Sequence, residues 1–251
     1  MAVQTRPLNV VLVPSDRAYR GENLEYFGGR TLARLEWTHV YLGSWSSRDR
    51  THLDAAVPAA LKDRHLNGVL RQYFPGKHIS SVFRGAEAGP VPGARVDKAA
   101  VERIVTTLAL RGVAALLLPP GAVLVERDGV TSEHGLAGYH GSVGGHYYAV
   151  AVYSEGTNGI VAFDEPWKNV CATLYHELQE VRTDPDVEDA IRTGDSSHLG
   201  WYSPSGGEIG DIPIATSDLA DVMKEVPLAD GSGTVPVQLL WSNEASAPAS
   251  S

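Results

Sequence analysis

Cysteine is almost missing from this 251-residue chain: Cys171 stands alone. One thiol permits neither an internal disulfide nor a thiolate zinc cluster. Beside Val170 it reads as a small buried residue rather than a reactive one. Basic residues are also scarce, with 21 Lys and Arg against 30 Asp and Glu, and a formal net charge of −9. No dense Lys/Arg stripe occurs, which argues against nucleic acid and anionic membrane surfaces as partners. No apolar run approaches the ~18 residues that a membrane span needs. The first residues lack a charged leader followed by a long apolar run, and Pro14 breaks the apolar stretch that begins at Leu8. That start predicts a cytoplasmic protein or one exported by an unconventional route. A Gly-x-Ser-x-Gly elbow is missing, so a serine-hydrolase triad is not indicated. The glycines at 135, 138, 141, 144 and 145 precede a strand-like run rather than a helix, which excludes a nucleotide loop.

What is present suffices for a full core: hydrophobic residues make up 43% of the chain, an ordinary share for a globular protein. Strands are expected at residues 8–13, 38–42, 79–84, 113–118, 147–153 and 235–241. Helices are expected from Ser46 through Leu61, over 66–74, from the Asp97 cap to Gly112, and over 217–224. Residues 85–93 and 135–145 read as Gly-rich loops, and 193–210 as a turn-rich segment. This order predicts an α+β fold, a mixed β-sheet with packed helices. A single domain is expected over residues 1–242, with 243–251 as a disordered tail.

The most informative stretch runs from Ala172 to Pro185 and carries His176, Glu177, Glu180 and Asp184. On a helix, His176, Glu180 and Asp184 form a polar stripe opposite Val170, Leu174, Leu178 and Val181. Such a helix is expected to bury one side and offer the imidazole and carboxylates from the other. Zinc hydrolases begin their metal site in this zincin-like way, as His-Glu-x-x-His, with the Glu after the first His acting as base. Here Glu180 replaces the second His, giving His-Glu-x-x-Glu. A carboxylate suits zinc, calcium or a salt-bridged helix face. Asp184, followed by Pro185, fits a helix stop better than a ligand.

Several short motifs occur in a fixed order: Val40-Tyr-Leu-Gly-Ser-Trp45, Gly138-Tyr-His140, Tyr148-Ala-Val150, His176-Glu-Leu-Gln-Glu180, Gly200-Trp-Tyr202, Glu208-Ile-Gly-Asp211 and Val237-Gln-Leu-Leu-Trp241. Together, over roughly residues 37–243, they resemble the phosphate-induced, or EXORDIUM-like, proteins of plant cell walls and their bacterial relatives. The resemblance implies a link to cell-wall growth responses and carries no firmly attached reaction. The plant members have a signal peptide and several cysteines, and this chain matches them in neither.

Glu208 and Asp211 stand three apart with Gly210 between them, in a Gly-rich segment where both carboxylates could converge on one cation. A catalytic zinc needs three protein ligands plus water. His176 and Glu180 supply two, and Glu208 or Asp211 a third; the bland alternative is a turn cap and an Arg partner. His140, before the strand that precedes the metal helix, could hydrogen-bond a substrate carbonyl or complete the metal sphere. His134 and His146 rank below it. Trp45, Trp201, Tyr202 and Trp241 could stack on sugars but fit the core better.

Two functions are therefore expected. One is a zinc-dependent, peptidase-like hydrolase with Glu177 as general base. The other is a non-catalytic protein in which the metal pins the helix to residues 200–211 and the ligand is a glycan or another protein. Zinc is expected before calcium, because calcium sites are built from oxygen.

Overall fold

Alternation of side chains along extended segments sets the frame of the molecule, a computed structural model that describes residues 22–126 and 129–249. The chain opens with a short strand β1 (Glu25–Tyr26) and the long β2 (Arg34–Leu42). Helix α1 (Ser47–Lys62) follows, its Ser46 side chain accepting the Asp49 N–H at 3.0 Å as an N-cap. Strands β3 (Ser80–Gly89) and β4 (Arg95–Asp97) lead into α2 (Lys98–Leu108), capped by Asp97. Next come β5 (Val113–Leu117), β6 (Val123–Val125) and the hairpin β7 (Gly138–Val143) and β8 (His146–Ala151). Helices α3 (Pro166–Thr183) and α4 (Val187–Thr193) precede β9 (Trp201–Tyr202). The last part holds α5 (Asp211–Thr216), α6 (Leu219–Val222), β10 (Met223–Pro227), β11 (Thr234–Gln238), β12 (Leu240–Ser242) and β13 (Ala247–Ala249).

Five strands form one mixed sheet in the order β3-β2-β5-β8-β7. The first four run parallel, and β7 returns antiparallel to β8 as the edge strand. Both faces are covered, as parallel strands require. Trp37, Tyr41, Val113, Ala115, Leu117, Ala149 and Ala151 face α1 and α3. Val40, Leu42, Ala114, Leu116, Tyr148 and Val150 face the α2 side. The expected α+β class is what the chain adopts.

Several local expectations need correction. The glycines at 138 and 141 sit inside β7 rather than in a loop; they lie where side chains would meet the Val150 carbonyl and the Glu188 side chain. Strand β3 runs on to Gly89, through part of the expected loop. The helix expected over 66–74 is a short 3-10 turn, Val69–Tyr73. Helix α2 ends at Leu108 with Ala109 left-handed, three residues before Gly112. Residues 217–224 hold only the four-residue α6 before β10 begins, and the expected strand over 235–241 is interrupted at Leu239. Residues 243–249 are not disordered: β13 pairs with β12, and the Asn243 amide brackets the Leu24 backbone, accepting its N–H at 2.9 Å and donating to its carbonyl at 2.8 Å. The strand expected over 8–13 and residues 250–251 lie outside the described residues. Among the described residues no helix is long and apolar enough to cross a membrane.

Helix α3 is the element that carries most of the expected site. Pro166 starts it, where a missing N–H costs nothing, and Pro185 stops it after Asp184. Every residue from Asn169 to Thr183 is buried. Its polar stripe therefore does not face water, as the sequence pattern suggested. One face packs on the sheet, and the β10–β11 hairpin and α1 close over the rest. Near its end, Arg182 is fully buried without a carboxylate: it donates to the Ala33 carbonyl (2.9 Å), the Ser80 carbonyl (3.2 Å), the Ser81 hydroxyl (2.7 Å) and Gln179 (3.0 Å). Burial pulls its guanidinium down to about 10. These bonds tie α3 to the starts of β2 and β3. Arg182→Met should strand several buried acceptors and cost about 3 kcal/mol, measured by urea unfolding. A loss below about 0.5 kcal/mol, the scale of an inert surface change, would refute that tie.

Candidate metal centre

His176, Glu177 and Glu180 occupy one turn of α3, and the fold brings three other segments onto that turn. From the sheet, β7 contributes His140, whose side chain shares a strand face with Gly138. Gly138 leaves room there: a Cβ on it would come within 2.9 Å of Glu177 Oε1. From the loop before α5 comes Glu208, and from the first residue of α5 comes Asp211. From β11 comes Gln238. His140, His176, Glu177, Glu180 and Glu208 are each 5% exposed or less.

The two imidazoles are held in the same manner. The His176 Nδ1 lies 2.7 Å from Gln238 Oε1, and the Gln238 amide nitrogen donates to the Gly210 carbonyl at 2.6 Å. Since that amide group is committed as a donor, Gln238 Oε1 accepts, and His176 donates from Nδ1. Its Nε2 is left aimed at carboxylates: Glu180 Oε1 at 3.0 Å, Asp211 Oδ1 at 3.7 Å and Glu177 Oε1 at 3.9 Å. For His140, Nε2 lies 3.1 Å from the Asp184 carbonyl, which can only accept. Its Nδ1 then faces Glu180 Oε2 at 3.4 Å and Glu177 Oε2 at 3.5 Å. Fixing one ring nitrogen on a neutral acceptor and freeing the other is how metal-ligating histidines are oriented.

The remaining contacts build the walls. Glu180 Oε1 accepts the Gly210 N–H at 3.1 Å, and Asp211 Oδ2 accepts the Glu208 N–H at 3.1 Å. Glu208 Oε1 lies 3.5 Å from His140 Nε2. Gly210 passes directly over the His176 ring; a Cβ there would stand 2.6 Å from Nδ1, so any side chain would collide with the imidazole. Four buried polar atoms of this cluster find no hydrogen bond within the protein: His176 Nε2, Glu177 Oε2, Glu208 Oε1 and Asp211 Oδ1. Unpaired buried polar atoms are costly and rare, and a group of them beside carboxylates and imidazoles could hold a cation. The nitrogen and oxygen atoms fall into two sets, His176 with Glu180 and Asp211, and His140 with Glu177 and Glu180, each within 4.8 Å.

The expected residues thus come together: His176, Glu180, Asp211, Glu177 and His140 share one site, with Glu208 at its edge on the far nitrogen of His140. Asp211 has no Arg partner among the described residues, so the bland alternative for it is not what the structure shows. Asp184 is the C-cap of α3, its Oδ1 accepting the Gly200 N–H at 2.9 Å, and only its carbonyl touches the site. His134 lies 3.0 Å from the Thr131 hydroxyl, and His146 begins β8; neither joins the cluster. Cys171 is buried and its thiol pushed up by burial, as an inert residue should be. Trp45 packs edge-on against Tyr41 and Tyr153, and Trp201 edge-on against Tyr73 and tilted against Tyr26. Sequence reasoning missed Gln238 and the glycines at 138 and 210. A lone polar residue inside the apolar run of residues 235–240 was the available signal for Gln238.

A scan against family models, a search of curated proteins and a search of solved structures each returned no match to this chain.

Electrostatics without a cation show what the packing demands. Burial drives the His176 imidazole down, but Glu180 and Glu177 overcome it and raise it to about 10. Burial drives Asp211 up, Glu180 adds to it, and the carboxyl reaches about 8. Burial opposes ionisation of Glu180 as well, yet His176 and His140 win and hold it at about 2. The raised groups stabilise the metal-free fold while protonated. That contribution is complete below their ordinary values and is lost as pH rises through about 8 for Asp211 and about 10 for His176. Metal ligation needs both deprotonated and so strengthens over the same range. The gap in melting temperature between zinc-loaded and chelator-treated protein should widen from about pH 6 to about pH 9. Calorimetry at both pH values checks this, and a constant or narrowing gap would contradict it.

Proposed function

We propose that this protein is a metal-dependent hydrolase of peptidase type, with the cation held by His176, Glu180 and Asp211. The observation that carries the reading is His176 Nε2, fixed by Gln238 through the other nitrogen, buried, and aimed at two carboxylates without a hydrogen-bond partner. One imidazole with carboxylates suits zinc better than calcium. A divalent cation in such a set lowers the pKa of water towards neutrality and polarises a carbonyl. Glu177 would act as the base: it is the next residue of α3, outside the His176 set, and its Oε2 has no hydrogen bond. Burial raises its carboxyl above the ordinary range, which makes the carboxylate a stronger proton acceptor. The peptide substrate class is supported by β7, an edge strand. Ala137 spends its carbonyl on Val152 at 2.9 Å, so the alternate residues Gly138 and His140 turn their peptide groups away from β8. The EXORDIUM-like resemblance belongs to this proposal as well, and adds no reaction to it.

A second reading has its own support. His176, Glu180 and most of β7 are buried and Asp211 is nearly so, as in a closed structural centre. In that case the cation pins α3 to the 208–211 segment in a non-catalytic protein that binds a glycan or another protein.

Glu177→Gln separates the two. Glutamine keeps the volume and cannot take the proton, so the variant should retain fold and first metal. Under the hydrolase reading, cleavage of a peptide library should fall by a factor of about 100 or more. An active Glu177→Gln protein would remove the mechanism, and a metal-loaded parent with no turnover would favour the binding protein.

A further inference from the structure

We infer that the centre takes a second divalent cation, held by His140 Nδ1, Glu177 Oε2 and Glu180 Oε2, with Glu180 bridging it to the first. The inference rests on the cation position at His176, Glu180 and Asp211 and extends the site to a pair.

Both carboxylates of the His-Glu-x-x-Glu turn point their two oxygens in two directions. Glu180 presents Oε1 to His176 at 3.0 Å and Oε2 to His140 at 3.4 Å. Glu177 presents Oε1 to His176 at 3.9 Å and Oε2 to His140 at 3.5 Å. Two imidazoles thus flank two carboxylates in a symmetrical arrangement. No three-ligand set contains both histidines: each forms its own set within 4.8 Å, and only Glu180 is common to both. In this arrangement an ion at either set engages one ring.

His140 is prepared for ligation independently of His176. Its Nε2 is committed to the Asp184 carbonyl at 3.1 Å, so the lone pair sits on Nδ1, inside the cluster. Glu177 Oε2, the oxygen facing it, belongs to a residue 2% exposed and has no hydrogen bond. Charge points the same way. Glu177, Glu180, Glu208 and Asp211 bring four negative charges when ionised; one divalent cation cancels two, and a second cancels the rest. Buried charge left uncompensated is expensive. One imidazole with two carboxylates per ion matches zinc or manganese, and carboxylate-bridged pairs lie about 3.5–4 Å apart.

The second position takes the carboxylate of Glu177, which the hydrolase reading needs for proton transfer. Under that reading, filling the position removes the base, and the second ion is inhibitory.

Zinc titration of the chelator-treated full chain, followed by native mass spectrometry, should reach two ions per chain. His140→Ala should saturate at one. In manganese-loaded unmutated protein, electron paramagnetic resonance should show an exchange-coupled pair, a readout that needs no variant to fold. Where turnover exists, it should fall as the second zinc equivalent is added. Saturation of the parent at one zinc, two ions retained by His140→Ala, uncoupled manganese signals, or turnover that keeps rising with the second equivalent would overturn the inference. Stoichiometry and coupling are read without substrate. An inactive protein that binds two coupled ions would refute hydrolysis and leave the pair standing.

Discussion

Helix α3 carries charged and titratable side chains into a place from which water is excluded, and the surrounding fold is arranged to compensate for that. Isolated ionised carboxylates in such surroundings cost far more than a domain's net stability. Two compensations are visible. Backbone N–H groups from Gly210 and Glu208 meet Glu180 and Asp211. Two imidazoles stand against the carboxylates. What remains are His176 Nε2, Glu177 Oε2, Glu208 Oε1 and Asp211 Oδ1, buried without a hydrogen bond. Protonation can cover the deficit, and raised values at Asp211 and Glu208 are the mark of it. A divalent cation covers it more fully, since one ion replaces several unfavourable protonations at once.

The same constraint explains the position of neighbouring elements. The edge strand β7 must bring His140 over α3, and glycine at 138 permits the approach. The turn before α5 must pass over the His176 ring, which only glycine at 210 allows. Strand β11 must end in Gln238 to hold that ring by its other nitrogen. Arg182 locks the far end of α3 to the starts of β2 and β3, so the helix cannot slide relative to the sheet. Fold and site are one problem: the segments that close the core are those that bring the histidines and carboxylates together.

Much of this was legible in the sequence. The apolar stripe of Val170, Leu174, Leu178 and Val181 marked α3, and the wholly apolar run at 113–117 marked a central strand. His176, Glu177 and Glu180 at helical spacing marked the site, and Glu208 with Asp211 marked the loop that meets it. The rest lay beyond local pattern. Glycines at 138 and 141 looked like a loop because their reason for being glycine is a close approach of α3 and α4, a long-range fact. The burial of the polar stripe was hidden because amphipathic spacing implies an exposed face, and nothing local shows that a β-hairpin will cover it. The ordered C-terminal strand was missed because small polar residues suggest disorder, while its pairing depends on Asn243 reaching Leu24 across the molecule.

The central claim is that buried histidine and carboxylate atoms on α3 form a cation site. Anomalous diffraction at the zinc absorption edge, from crystals of zinc-loaded protein, tests it most directly. The account predicts a strong peak within ligand distance of His176 Nε2, Glu180 and Asp211. Zinc peaks confined to exposed histidines such as His65 and His78, with the His176 pocket empty and its carboxylates in place, would contradict it.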